Sequence, residues 1–200
     1  MATKAQRLSL ADLQSMKVGV WDLESSSLNG SFGHVLVAGV LPAFTPDLKE
    51  CKVIRIDKTK GYHTTMWDDT QLIRDTVQEL NKYDVLIGFN NLWFDVPLLH
   101  TRALSDRLPW LRTDIKHVDI YQFVRKRLRL SSRSLYSLLT QLETKNQKTG
   151  LVPKIWRCAV GGHKPSLDKI VEHNIADCAS LAEAAARIVK HVDLPFFYVR

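Results

Sequence analysis

The apolar run at residues 18–21 (VGVW) ends in two acidic residues that flank a single leucine, Asp22-Leu23-Glu24. Such a run is typical of a buried β-strand, in which alternate side chains point to opposite faces. Asp22 and Glu24 therefore share one face, while Leu23 points into the opposite layer. Two adjacent carboxylates repel each other and resist desolvation, and a divalent cation with oxygen ligands relieves both costs. The motif indicates a metal site or, alternatively, a strand end at which both acids are simply hydrated.

Length and composition favour one globular domain. The chain has 200 residues, of which 45% are hydrophobic, so we expect a single domain over residues 1–200 with its core at about 17–192. No stretch approaches the roughly 20 apolar residues that cross a bilayer, and the N-terminus does not resemble a secretory signal. Three cysteines form no even disulfide framework. We therefore expect a cytoplasmic protein without membrane contact, in a bacterial or virus-infected cell.

The formal net charge is +7, which favours a polyanionic partner. The densest basic stretch covers residues 125–129 (RKRLR), followed by Arg133. It is either a solvated helix face or a surface that tracks phosphates, and the second reading needs phosphodiester chemistry elsewhere in the chain.

Hydrophobic periodicity and turn residues predict the order of elements. Strands at 18–24, 34–41 and 51–56, separated by turn formers, suggest an antiparallel meander. A short apolar strand follows at 84–89. Helical spacing is expected at 70–81, 95–104, 119–130, 132–143 and 166–192, with an exposed turn at 144–149 and an irregular segment at 150–165. The fold class predicted is α/β, with a mixed sheet of meander and parallel strand flanked by helices.

A second acidic position follows the predicted strand at 84–89. Asp95 comes after a turn with two asparagines, Asn90 and Asn91, at the strand edge where open α/β sheets keep their ligands. Asp95 is either a helix N-cap or a third carboxylate facing the first two. Trp93 and Phe94 are either core residues or a surface on which a terminal base stacks.

A third site lies in the last predicted helix. His173 and Asp177 are four residues apart, which places both on one helix face. They form either an ordinary polar pair or, beside the other acids, a metal ligand (Asp177) and a base (His173) that titrates near neutral pH.

A zinc site is a competing interpretation of four residues. Cys158 and His163, and then His173 and Cys178, show the spacings C-x4-H and H-x4-C. Residues five apart on a helix do not share a face, so His173 and Cys178 cannot both reach one ion without unwinding. The spacing therefore disfavours zinc.

In order and spacing, the three acidic motifs resemble those of the DEDD superfamily of 3′–5′ exonucleases, which have a ribonuclease-H-like fold. The chain is most similar to the exonuclease domain of family B DNA polymerases and its free-standing relatives. The family's strand ending in D-x-E matches residues 18–24, and its motif G-[YF]-N-x-x-x-F-D-x-P matches residues 88–97. In the third motif, Y-x-x-x-D, His173 replaces the tyrosine. Relatives that use histidine usually place it five residues before the aspartate.

The resemblance implies a catalytic site with two Mg²⁺ or Mn²⁺ ions, in which His173 either acts as the base or holds the attacking water as the family's tyrosine would. One ion would lower the pKa of a water and the second would neutralise the departing 3′ oxygen. The metal ligands implied are four carboxylates, Asp22, Glu24, Asp95 and Asp177. Asp119, by contrast, falls at a structural position.

The resemblance also implies that 5′-mononucleotides leave the 3′ end of single-stranded DNA. Asn90 or Asn91 would steady the substrate, Trp93 or Phe94 would stack a base, and Arg125, Arg129 and Lys164 would follow the strand backbone. Two other functions stay open: a binding module of the same fold with little or no hydrolysis, and a 3′–5′ exoribonuclease.

Overall fold

The protein is described here by a computed structural model, which covers residues 6–44, 47–144 and 150–199. A six-stranded sheet forms its centre, in the spatial order β4-β3-β2-β5-β6-β8, and β1 and β7 form a separate two-stranded ribbon. The strands are β1 Arg7–Leu8, β2 Val18–Ser25, β3 Val35–Pro42, β4 Lys52–Arg55, β5 Val85–Gly88, β6 Lys116–Asp119, β7 Leu194–Pro195 and β8 Phe197–Tyr198.

Strands β2, β3 and β4 are antiparallel, and β5 and β6 continue the sheet in parallel with β2. The predicted α/β class, with a mixed sheet of antiparallel meander and parallel strands flanked by helices, is therefore confirmed. Strand β2 pairs with β5 only from Val18 to Val20, so its last residues extend beyond the end of β5. The β2–β3 register also shifts between Glu24 and Ser25. This irregularity changes the direction of the strand just beyond the acidic pair.

Seven helices flank the sheet within the described ranges: α1 Leu10–Ser15, α2 Thr70–Leu80, α3 Asp95–Ser105, α4 Ile120–Arg127, α5 Leu135–Gln141, α6 Pro153–Val160 and α7 Lys164–Ile188. Trp21 and Leu23 pack in one apolar cluster with α2 and α3. A second cluster joins α4, α5 and the last turns of α7 to Val18 and Val20. None of these helices is both long and apolar enough to cross a membrane.

Several predicted boundaries are wrong. The segment 150–165 contains α6, which begins at Pro153 and is held by packing on α7 rather than by strong propensity. The helix expected at 119–130 runs only from Ile120 to Arg127. Asp119 is its N-cap, and the Asp119 carboxylate accepts a hydrogen bond from the Tyr121 amide. Strands β6 and β8 and helix α1 were not predicted. The turn expected at 144–149 lies almost entirely outside the described residues.

His117, which is buried in β6, makes stability sensitive to acid. Burial lowers the pKa of its imidazole from 6.5 to about 4. The unfolded chain therefore binds a proton that the folded chain does not, and stability falls as pH drops from about 6.5 towards 4. Between pH 7 and pH 5 we expect the wild type to lose about 2 kcal/mol more than His117→Gln, measured by urea unfolding. Equal losses in both proteins would contradict this assignment.

Candidate active site

The end of β2 is completed by side chains from the loop that follows β5. Beyond Val20, the edge of β2 that faced β5 loses its strand partner. Trp21 and Leu23 direct their backbone groups to this edge. Asn91 Nδ2 donates to the Trp21 carbonyl at 3.2 Å, and the Leu23 amide donates to Asp95 Oδ1 at 3.1 Å. The side chains of the second motif thus replace the missing strand and bring Asp95 beside Asp22 and Glu24.

Asp95 is the first residue of α3 rather than its N-cap, which is Phe94. Its side chain is 3% exposed. Burial and the neighbouring Asp22 charge raise the pKa of Asp95 well above its ordinary value. A carboxylate held in this way at neutral pH is stabilised by a nearby positive charge.

Helix α7 runs without interruption through the third motif, and the four-residue spacing places His173 and Asp177 on the same face. His173 Nε2 lies 3.8 Å from Asp177 Oδ2 and 3.9 Å from Glu24 Oε1. These distances exceed a direct hydrogen bond but are within ion-pair range. The imidazole therefore stands between the last acid of β2 and the acid of α7.

Asp22 is tied to the same helix by Asn174. Asn174 Nδ2 donates to Asp22 Oδ2 at 3.0 Å and to the Asp22 carbonyl at 3.1 Å. The structure thus brings together all five predicted catalytic residues near the carboxyl end of β2, from three distant parts of the chain.

The predicted substrate residues beside Asp95 have different environments. Asn91 is buried, with its amide directed to the Trp21 carbonyl as described, and its side chain packs on Gly88. Asn90 adopts a positive φ of 67°, and its amide donates to Asp119 Oδ1 at 2.9 Å. Asp119 therefore braces this turn, consistent with its expected structural role. Asn90 and Asn91 shape the site, and a direct contact with substrate stays a prediction.

Exposed apolar side chains surround the site on the loops beside it. Trp93 is 71% exposed, whereas Phe94 is half-buried. A hollow of about 280 Å³ lies between the loop after β2 and the start of α3, lined by Leu28, Asn29, Gly30, Ser31, Trp93, Phe94, Pro97, Leu98 and Thr101. Leu28 and Phe32, on the loop after β2, are 86% and 89% exposed. Such a surface can stack an unpaired base.

The predicted basic residues do not join the carboxylates. Arg125 is five residues into α4, about 8 Å along its axis from the sheet edge, and Arg129 lies beyond the helix end. Lys164 begins α7, roughly 14 Å before His173 along that helix. Its ammonium pairs with Asp168 at 2.9 Å. Contact of these cations with a substrate backbone stays a prediction.

The donor chemistry of the site fits hard divalent cations, since four carboxylates converge and one of them is buried beside another negative charge. Within the described ranges, no three histidine, cysteine, aspartate or glutamate side chains stand where they could jointly hold a metal ion.

Two contributors were missed in the sequence: Asn174 and Gly39. Gly39 pairs with Asp22 across β2 and β3, and Asn174 is completely buried in contact with it. An asparagine three residues before Asp177, on the face that packs against the sheet, was the available signal.

Comparisons with known proteins agree with this architecture. The family model described as the RNase_H superfamily matches residues 20–189. The solved family B DNA polymerase from the hyperthermophilic archaeon Pyrobaculum calidifontis is similar in fold, with a TM-score of 0.64 and 19% sequence identity. The match covers 86% of this chain and 24% of the polymerase chain. No match is found among curated proteins. With a family model covering most of its length and a sheet of the matching kind, the chain belongs to the RNase_H superfamily.

Proposed function

We propose that the protein is a divalent-metal-dependent 3′–5′ exonuclease that releases 5′-mononucleotides from single-stranded DNA. Family membership supports a nuclease-type activity, and the polymerase match spans a share of that protein expected for one domain. One observation carries the proposal. His173 Nε2 lies within 4 Å of carboxylate oxygens from both β2 and α7.

Divalent cations held by Asp22, Glu24, Asp95 and Asp177 would supply the positive charge that activates water and neutralises the phosphate. His173 accepts the proton of the attacking water through Nε2. Glu24 and Asp177, both within 4 Å of Nε2, orient the imidazole and stabilise the imidazolium formed by that transfer. The water oxygen bonds to phosphorus, the bond to the 3′ oxygen breaks, and the terminal mononucleotide leaves.

A single strand fits the surroundings of the site better than a duplex. Trp93 and the apolar side chains on the loop after β2 stand exposed beside the carboxylates. Stacking on an aromatic ring is worth about 1–3 kcal/mol per base and needs the base to be unpaired. The exposed cations of α4 lie farther away, where a strand of several nucleotides could reach them.

The direct test is a labelled oligonucleotide incubated with the protein and Mn²⁺ or Mg²⁺. A ladder that shortens from the 3′ end supports the proposal. A retarded but uncut strand would instead identify a binding module, and a preference for RNA over DNA of the same sequence would identify an exoribonuclease.

Replacing His173 by alanine tests its assignment as the base. We expect activity to drop by about 10²–10⁴-fold, the usual contribution of a general base, and the remaining rate to depend on pH more like that of hydroxide. The measurement is the cleavage rate from pH 6 to 9. A wild-type rate and profile in His173→Ala would rule out this role.

A further inference from the structure

Asn174 is a fully buried polar residue beside the carboxylates, and none of the motifs includes it as a reacting group. Its side chain is 0% exposed. We infer that Asn174 is a positioning residue, which orients the Asp22 carboxylate for binding of a divalent cation. This inference rests on the proposed function and names a residue that sets the cation affinity of that site.

The contacts of Asn174 restrain Asp22 at two points. One amide nitrogen donates to both the backbone carbonyl and a carboxylate oxygen of Asp22, at 3.1 and 3.0 Å. Bridging the two ends of one residue restricts its side-chain torsions, so less rotamer freedom remains to be lost when a cation binds. Hydrogen bonds from outside the ligand shell commonly set metal affinity in this way.

Gly39 makes this arrangement sterically possible. Gly39 lies opposite Asp22 in the β2–β3 ladder. A Cβ atom added at this glycine would stand 2.1 Å from Asn174 Oδ1 and 3.2 Å from Cys178 Sγ. Any larger residue at 39 would push the asparagine and its helix away from Asp22.

The oxygen of the Asn174 amide indicates that a contribution to folding stability does not by itself explain an asparagine at this position. Asn174 Oδ1 is buried, and no hydrogen-bond donor among the described residues reaches it. A buried acceptor without a donor costs about 1–3 kcal/mol. The reverse orientation of the amide would place this oxygen against the Asp22 carboxylate, which repels it. The orientation in which Nδ2 donates to Asp22 therefore carries the free-energy cost of burying Oδ1 without a donor.

The decisive variant is Asn174→Leu, which keeps the branched shape of the side chain and removes both polar atoms. We expect its resistance to urea to equal or exceed that of the wild type, because the buried unpaired oxygen is gone. We expect its Mn²⁺ affinity, measured by calorimetric titration, to fall by about 10–100-fold. The Mn²⁺ concentration that gives half-maximal cleavage should rise by the same factor.

Two further variants test the inference if Asn174→Leu does not fold. Asn174→Ala removes the same donor without added bulk, and Gly39→Ala displaces an intact asparagine. Both should weaken Mn²⁺ binding. Ile170→Val, a buried apolar change one helical turn before Asn174, serves as the control and should bind Mn²⁺ like the wild type.

The outcomes separate the two levels of the proposal. A wild-type protein that neither binds Mn²⁺ nor cleaves DNA overturns the proposed function itself. If the wild type binds Mn²⁺ and cleaves DNA, but folded Asn174 variants bind Mn²⁺ with unchanged affinity, the positioning role is wrong and the function stands.

Discussion

Alanine at Asp22 or at Asp177 is expected to reduce cleavage by at least about 10³-fold without unfolding the protein. Removal of a single preorganised hydrogen-bond donor already costs about 10²–10³ in rate. In the proposed mechanism each of these carboxylates would hold a divalent cation, so its loss should cost at least as much. Both are polar side chains near the end of β2 and on the face of α7 beside it, so their loss removes no apolar packing. The measurement is the single-turnover rate at saturating Mn²⁺, with circular dichroism to confirm folding.

Asp95→Asn extends the test to the second motif, and Asp114→Ala serves as the control. Asp95→Asn keeps an oxygen that can accept a hydrogen bond from the Leu23 amide. It removes a carboxyl group whose pKa is raised by burial and by the Asp22 charge. We expect it to abolish cleavage while leaving thermal stability unchanged or higher. Asp114 is 74% exposed and pairs with Arg112 at the surface, so its alanine variant should cleave normally. Full activity in Asp22→Ala, Asp177→Ala or Asp95→Asn would remove that residue from the site.

The largest loss of stability is expected from Asp69→Ala. Asp69 is completely buried just before α2. Its carboxylate accepts from the Val35 amide at 2.7 Å and from Arg102 at 2.7 and 3.2 Å. Its removal leaves a largely buried guanidinium without this partner, which typically costs 3–5 kcal/mol. For a chain of this size the melting temperature should drop by about 10 °C.

The same substitution should also slow cleavage, because the network sets the position of the site. Asp69 connects the first residue of β3 to α3, and α3 begins with Asp95. The double variant Asp69→Leu with Arg102→Met tests the cause. Removing both charges should restore part of the lost stability, since no unpaired charge then remains buried. If Asp69→Ala unfolds at the same urea concentration as the wild type, the network is energetically unimportant.

Local patterns predicted the elements that carry the candidate site. Alternation in β2 placed Asp22 and Glu24 on one face, and the four-residue interval placed His173 and Asp177 on one face of α7. Both inferences need only the periods of a strand and a helix, which backbone geometry imposes on any sequence. The amphipathic helix at 70–81 was recovered for the same reason.

Elements without a local signal were missed. Strand β6 has only four residues, and it exists because β5 lies beside it and pairs with it in parallel. Strand β8 has two residues and depends in the same way on β6. Helix α6 is eight residues long and is marginal without the surface of α7. Pairing and packing between distant segments supply the missing free energy, and no window of sequence contains it.

The amino-acid sequence by itself determined the acidic and histidine side chains available for chemistry and the face of each element on which they stand. Tertiary structure alone decided that Leu23 donates to Asp95, that Asn174 bridges Asp22 and that Gly39 makes room for it. The physical reason is one of range. Side-chain direction follows from the backbone torsions of a few residues, whereas hydrogen bonds across 72 and 152 residues exist only after the sheet and α7 have packed.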